Sequence, residues 1–428
     1  MNTTRLSQVW TCSAPPAAPR DERLLRAVNA AAWPFAILAI VHRLLVLAWA
    51  GSVTDDFTTV WSAARRFVER VPVYNEVYEY VDPHYLYSPG ATLLLSPLGL
   101  LPSAEAARPG FVLLNAVAII VAVAWLVRRS GFSLSHPLFP VSLAAAFLTE
   151  AVTNTLVFSN INGVLLLVLV AFLVALVDSR QWPAGLLLGV AILIKPMFAP
   201  LIVLPLMRLQ LRAAVAAVAV PAAMNLLAWP ITPGVAEYTD RLVPYLAQTR
   251  DYANSSLAGF AVYFGMPAAI HAVFFIVFAA SVAVAVIGLA RFRYSDSWLW
   301  ACTSAGVLIA GVCLLSSLGQ AYYSLMLFPA IATAAGRNSP LHLPTTWLGI
   351  LLCLVPLTWN NPAFGSASSW IGTFLPTAGW AVFLISVATW AGIFAFNAPT
   401  ADSTTRKGAV HDGHQLHRLD GRSVARET

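Results

Sequence analysis

The feature that most constrains this chain is the recurrence of apolar runs close to the 20 or so residues that a helix needs to cross a bilayer. Runs that reach or approach that length occupy residues 31–50, 110–127, 137–157, 161–177, 211–231, 267–290, 298–315, 322–335, 343–358 and 371–396. Little polar sequence separates them: 59% of the 428 residues are hydrophobic and 10% are charged. Soluble domains carry about 25% charged residues, so lipid must be the solvent for most of this surface. The expected fold is all-α, a polytopic membrane helix bundle of about ten full spans.

Two further apolar stretches are predicted to enter the membrane without crossing it. Residues 88–101 are interrupted by Pro97 and Gly99, and 183–207 by Lys195-Pro196 and Pro200. Proline ends or kinks a helix, and a lysine at bilayer depth is costly. The second stretch therefore reads as two half-helices meeting near Lys195. With the N-terminus cytoplasmic and neither stretch crossing, about 17 Lys and Arg residues fall on cytoplasmic segments and about 6 on outer loops, as the positive-inside rule requires. If 88–101 crossed, Arg128 and Arg129 would move outside and the bias would weaken.

This arrangement predicts a cytoplasmic segment at 1–30, a transmembrane domain at 31–397 and a polar, disordered cytoplasmic tail at 398–428. The first span acts as a signal anchor, and the long outer loops, near 51–87 and 232–266, face the periplasm. The net charge of +6 is explained by positive cytoplasmic loops rather than by nucleic acid. Cys12, Cys302, Cys313 and Cys353 show no metal-like or paired spacing, and three of them lie in apolar runs, where cysteine behaves as a small hydrophobe.

Chemistry concentrates on the outer side. Asp55-Asp56 follows the first span and precedes an amphipathic stretch, 57–70. Paired carboxylates there suit general-base work on a hydroxyl or metal binding, although an N-capping aspartate on a solvated loop accounts for the same pair. Arg43 lies about seven residues inside the first apolar run, where it either snorkels or meets a partner in the bundle. Lys195 sits in the helix break, and an intramembrane cation at such a break fits an anionic phosphate. Asp82, His84, Tyr85 and Tyr87 crowd the end of the first loop; Arg250 and Asn254 belong to a polar stretch at 248–256, and Gln320 and Tyr322 to a third polar turn. Asn160 and Asn162 serve either substrate contact or interhelical hydrogen bonding. Three polar outer loops above one buried cation describe a cavity open to the periplasm. No GxxxxGK[ST] or GxGxxG motif is present for a soluble nucleotide donor.

The strings Thr54-Asp55-Asp56-Phe57, Tyr74-Asn75-Glu76, Asp82-Pro83-His84-Tyr85-Leu86-Tyr87, Asn160-Ile161-Asn162-Gly163, Thr249-Arg250-Asp251-Tyr252, Asn254-Ser255-Ser256 and Gln320-Ala321-Tyr322-Tyr323-Ser324, with the Lys195-Pro196 break, resemble the GT-C glycosyltransferases of family 87. These are polyprenyl-phosphate-sugar-dependent membrane enzymes of actinobacteria, and the resemblance is strongest to those that branch cell-wall arabinan. It implies a GT-C-like bundle in the plasma membrane and inverting transfer from decaprenylphosphoryl-arabinofuranose to the arabinan of arabinogalactan or lipoarabinomannan, forming α-(1→3) branches. Mannosyltransferase relatives tend to have a histidine near position 320, where this chain has Gln320 and Tyr322. A polyprenyl-phosphate-mannose donor is the alternative reading, and a lipid-linked saccharide flippase the rival class. On this reading Asp56 is the base, Asp55 orients it or contacts the sugar, and Lys195, Arg250 and Arg43 meet the donor phosphate. Asp82, His84, Tyr85, Tyr87, Asn160, Asn162, Asn254, Gln320 and Tyr322 contact substrate. No cofactor and no obligatory metal are expected.

Overall fold

The computed structural model describes residues 22–49, 55–78, 83–355, 365 and 367–397. The predicted tail at 398–428, most of the N-terminal segment, Thr54 and Asp82 lie outside them. Every regular element among the described residues is helical.

The chain enters through α1 (Glu22–Val41), which runs on as a π-helical turn to Leu47. The amphipathic helix α2 (Asp56–Val68) and the short α3 (Pro89–Leu95) follow, and α3 continues as a 3-10 turn to Leu100. Next come α4 (Ala104–Arg129), α5 (Leu138–Leu148), α6 (Glu150–Val157), α7 (Asn162–Val177) and α8 (Gln181–Ile194). A 3-10 stretch at Pro196–Ile202 leads into α9 (Val203–Met207) and α10 (Leu211–Ala228). The second long loop carries α11 (Val243–Ala247) and α12 (Leu257–Phe264). The C-terminal part comprises α13 (Ala268–Leu289), α14 (Ser297–Leu315), α15 (Phe328–Ala332), α16 (Pro344–Leu354) and α17 (Ala367–Asn397).

Six of these helical stretches are long and apolar enough to cross a membrane, and a seventh span results if the bent pair α5–α6 is counted as one. The protein is thus a multi-pass helical bundle, but the helix lengths do not reproduce ten uniform spans. Residues 137–157 are bent by 63°, because Thr149 adopts an extended conformation and caps α6 through the Val152 N–H. Residues 161–177 form a 16-residue helix. The apolar run 322–335 is broken into 3-10 and α pieces, and α16 has 11 residues. Apolar composition measured the solvent correctly; capping and proline geometry cut the helices shorter.

α14 is the central column, with 83% of its span buried, whereas only 17% of α13's span is buried. α8 packs against α7 and α10, α17 against α13 and α16, and α4 against α7. The amphipathic α2 lies across the 3-10 turn that ends α3. Gly99 makes that approach possible, since a Cβ there would fall 2.4 Å from the Ala64 backbone. α2 is thereby held rigidly at one end of the bundle.

Candidate active site

Asp55 and Asp56 are neighbours in sequence but face different surroundings. Asp55 is the N-cap of α2: its Oδ1 accepts from the Thr58 N–H and from the Thr58 hydroxyl, each at 2.9 Å. Its Oδ2 accepts from Arg108 Nε; Asp55 is buried and Arg108 half-buried. Arg108 also donates to the carbonyls of Ala48 at 2.9 Å and Val157 at 3.0 Å. One guanidinium therefore joins the end of the first span, the cap of α2 and the end of α6. The expectation is that Asp55 orients Asp56 or contacts the sugar; the structure places its carboxylate as a helix cap and ion-pair partner, and Asp55 is not among the cavity-lining residues.

Asp56 is the first residue of α2, and its N–H donates to the Phe158 carbonyl at 3.0 Å. Its carboxylate lines a cavity of about 620 Å³. Burial pushes its pKa above the ordinary aspartate value; Lys195 draws it back down, Asp55 raises it, and Arg250 lowers it. A carboxylate at a helix N-terminus also meets the positive end of the helix dipole. The group is set up to ionise while keeping a high affinity for a proton, as a general base requires.

Lys195 lines the same cavity. Pro196 disfavours a helical conformation at the residue before it, so α8 stops and Lys195 adopts φ −136°, ψ 106°. Its Nζ donates to Asn162 Oδ1 at 2.7 Å and lies 4.6 Å from the ring centre of Tyr323 and 5.7 Å from that of Tyr322. Arg250 is the second cation on the cavity wall, with its guanidinium 5.0 Å from the Tyr245 ring centre and 5.8 Å from that of Tyr252.

His84, Tyr85 and Tyr87 also line the cavity. Glu76 organises this corner: it pairs with Arg66 at 2.9 Å, accepts the Tyr85 N–H at 3.0 Å and lies 3.5 Å from His84 Nδ1. The His84 ring packs between Tyr78 and Tyr245, at 5.1 and 5.4 Å. The Tyr85 hydroxyl is committed to Thr92 at 2.7 Å. Ile194, Pro196, Met197, Val312 and Cys313 add apolar lining to the cavity. Cys302, Cys313 and Cys353 are buried free thiols.

Arg43, Asn254 and Gln320 are not on the cavity wall. Arg43 does not reach the cavity, because its Nε donates to the Phe147 carbonyl at 3.0 Å and an Nη meets His42 Nδ1 at 3.1 Å. Asn254 is buried with both amide atoms doubly bonded: Nδ2 donates to Arg250 O and Ser317 O, while Oδ1 accepts from the N–H groups of Ser256 and Gly319. It has no capacity left for a substrate. Gln320 is off the cavity wall, and Asp82 lies outside the described residues. Asn160 and Asn162 sit just behind the wall, buried. Sequence reasoning missed Arg108, Tyr323 and Asn115. An arginine in the first turn of a long apolar helix was the available sign for Arg108, since such a charge needs a partner.

A half-buried carboxylate, two cations and several apolar side chains thus line one cavity inside a helical bundle with membrane-spanning helices. The family whose sequence pattern matches residues 85–317 is glycosyltransferase family 87. The chain is 49% identical over 367 residues to the α-(1→3)-arabinofuranosyltransferase of Corynebacterium glutamicum, covering 86% of this chain and 88% of that one. It is 42% identical to the Mycobacterium tuberculosis protein of the same name, with 87% and 86% covered, and 38% identical to that of Mycolicibacterium smegmatis, with 86% of each covered. This chain belongs to glycosyltransferase family 87 and is a multi-pass membrane glycosyltransferase.

Proposed function

We propose that the protein transfers an arabinofuranosyl unit from decaprenylphosphoryl-β-D-arabinofuranose to arabinan, with inversion, forming α-(1→3) branches at the outer face of the plasma membrane. The observation that carries this reading is that Asp56, Lys195 and Arg250 line one cavity, close enough that both cations favour the charged form of Asp56. Asp56 takes the proton of the acceptor 3-hydroxyl as its oxygen attacks the anomeric carbon. The bond from that carbon to the phosphate oxygen breaks, and the lipid phosphate leaves with the bonding pair. Lys195 and Arg250 stabilise the charge that gathers on it. The apolar lining along Ile194–Met197 and Val312–Cys313 accommodates the first isoprene units, and His84 and Tyr87 face the acceptor. The names of the relatives support arabinofuranose as the sugar.

The shorter apolar helices complete about ten crossings in this proposal, with 88–101 and 183–207 remaining re-entrant and both long loops periplasmic. A cysteine at position 128 is then labelled only from the cytoplasmic side. The activity is tested by incubating purified protein in detergent with the donor lipid and a short arabinan, and determining the product linkage by NMR. An α-(1→3)-linked arabinofuranose is expected. Product from a mannosyl-phosphate donor instead would reassign the sugar, and no product from either donor would favour a flippase.

A further inference from the structure

Behind the cavity wall one turn touches both sides of the reacting pair. α6 ends at Val157, and Phe158-Ser159-Asn160-Ile161 leads into α7. The Phe158 carbonyl holds the Asp56 N–H, and Asn162 Oδ1 holds the Lys195 ammonium. Within the turn, Asn160 Oδ1 accepts from the Asn162 N–H at 3.1 Å, and Ser159 has a left-handed φ of 50°. α4 clamps the turn from behind. Asn115 Oδ1 accepts the Val164 N–H at 3.2 Å, and a Cβ on Gly163 would fall 2.6 Å from the Asn115 carbonyl.

Asn160 is 2% exposed, yet its Nδ2 has no protein partner among the described residues. It lines a recess of about 10 Å³ together with Asp56, Tyr87 and Ser159. That is about the space one water needs, and the lining supplies the two or more polar partners that keep a buried water in place. A buried amide left without any acceptor would cost on the order of a lost hydrogen bond.

We propose that the Asn160–Asn162 turn is a positioning bracket for the transfer reaction: Asn162 aims the Lys195 ammonium directly, and Asn160 holds Asp56 through one buried water. The proposal rests on the roles given above to Asp56 and Lys195. Because both asparagines belong to one rigid turn, the bracket fixes the spacing between the proton acceptor and the cation. Asp56 is also faced by Arg250, Asp55, Tyr87, Tyr322 and Tyr323, none of which belongs to the turn.

The test uses full-length protein in detergent with the donor lipid and short arabinan, and begins with Asp56→Asn and Lys195→Met. If those two variants remain active, the functional reading falls and the bracket falls with it. If they are inactive, the asparagines are tested independently. Asn160→Ala is expected to lower kcat roughly ten- to a hundredfold, the scale of a small misplacement, and to move the acid limb of kcat/KM to higher pH as Asp56 loses a hydrogen bond to its charged form. Asn162→Ala removes the acceptor that aims the Lys195 ammonium and is expected to lower kcat on a similar scale while acceptor KM stays unchanged. Wild-type kcat and acid limb in Asn160→Ala, or wild-type kcat in Asn162→Ala, would overturn the bracket while leaving the functional reading intact. Should the alanine variants not fold, a high-resolution map of the wild-type protein decides: no water density between Asn160 and Asp56 overturns it.

Discussion

The protein contains two asparagine turns that look alike in sequence and differ in what they leave unsatisfied. Asn160-Ile161-Asn162 opens α7 and Asn254-Ser255-Ser256 opens α12, and in each the first asparagine's Oδ1 accepts the N–H two residues on, at 3.1 Å. Both turns are buried. In the second, Asn254 spends its whole capacity on protein backbone, tying Arg250, Ser317 and Gly319 together. In the first, Asn160 Nδ2 and Asn162 Nδ2 remain unpaired among the described residues, and the Asn162 Oδ1 accepts from the Lys195 ammonium. A saturated buried amide is architecture. An unsaturated one beside a carboxylate and an ammonium is what the proposed bracket uses, because its cost is repaid only when something else completes it.

The largest effect that tests this contrast falls on the groups the first turn serves. Asp56→Asn keeps the volume, removes the base and is expected to cost about 10²–10⁴-fold in kcat, with an unchanged gel-filtration profile and retained donor binding. Near-normal turnover would remove the reason for the contrast. Lys195→Met is expected to cost about 10²–10³-fold, the scale of losing one charge-stabilising donor, with donor use damaged more than acceptor use. Its pH profile sharpens the point. Burial already holds the Asp56 pKa above the ordinary 3.8 and Lys195 draws it down, so activity is lost as pH falls through that raised value. Without Lys195 the acid limb of kcat/KM should move to still higher pH, and an unmoved limb would mean that the two groups are not coupled.

On the other side of the comparison, Asn254→Ala leaves several buried backbone groups unpaired. It is expected to cost about 1–3 kcal/mol of stability, read as a lowered Tm in detergent, while kcat per folded molecule stays within about threefold of wild type, less than half the tenfold step that 1.4 kcal/mol produces. A large kcat loss with an unchanged Tm would place Asn254 with the first turn. The smallest effect is expected from Arg43→Gln, because Arg43 meets the Phe147 carbonyl and His42 rather than the cavity. Donor KM should be unchanged, and a raised donor KM would restore Arg43 to the phosphate site.

What was legible beforehand follows the same division. Asp56, His84, Tyr85, Tyr87, Lys195, Arg250 and Tyr322 reach one cavity, and each announced itself as a polar group near an apolar run, where such a group needs a reason. Asp55, Arg43 and Asn254 announced themselves equally well and are held by protein partners, because a charge or amide that needs a partner does not reveal whether the partner is protein or substrate. The helix lengths show a similar limit. The run 137–157 gave no sign that Thr149 would cap a second helix at 63°.

The sequence by itself determined the solvent and the break. Apolar runs dictate a membrane bundle because transfer free energy adds along the chain, and Pro196 forces Lys195 out of helix because that clash is local. Only the tertiary structure decided which of two adjacent carboxylates faces the cavity. Arg108 reaches Asp55 across 53 residues and Asn162 reaches Lys195 across 33. Those pairings are fixed by how α4, α7 and α8 pack, and no spacing within the chain encodes them.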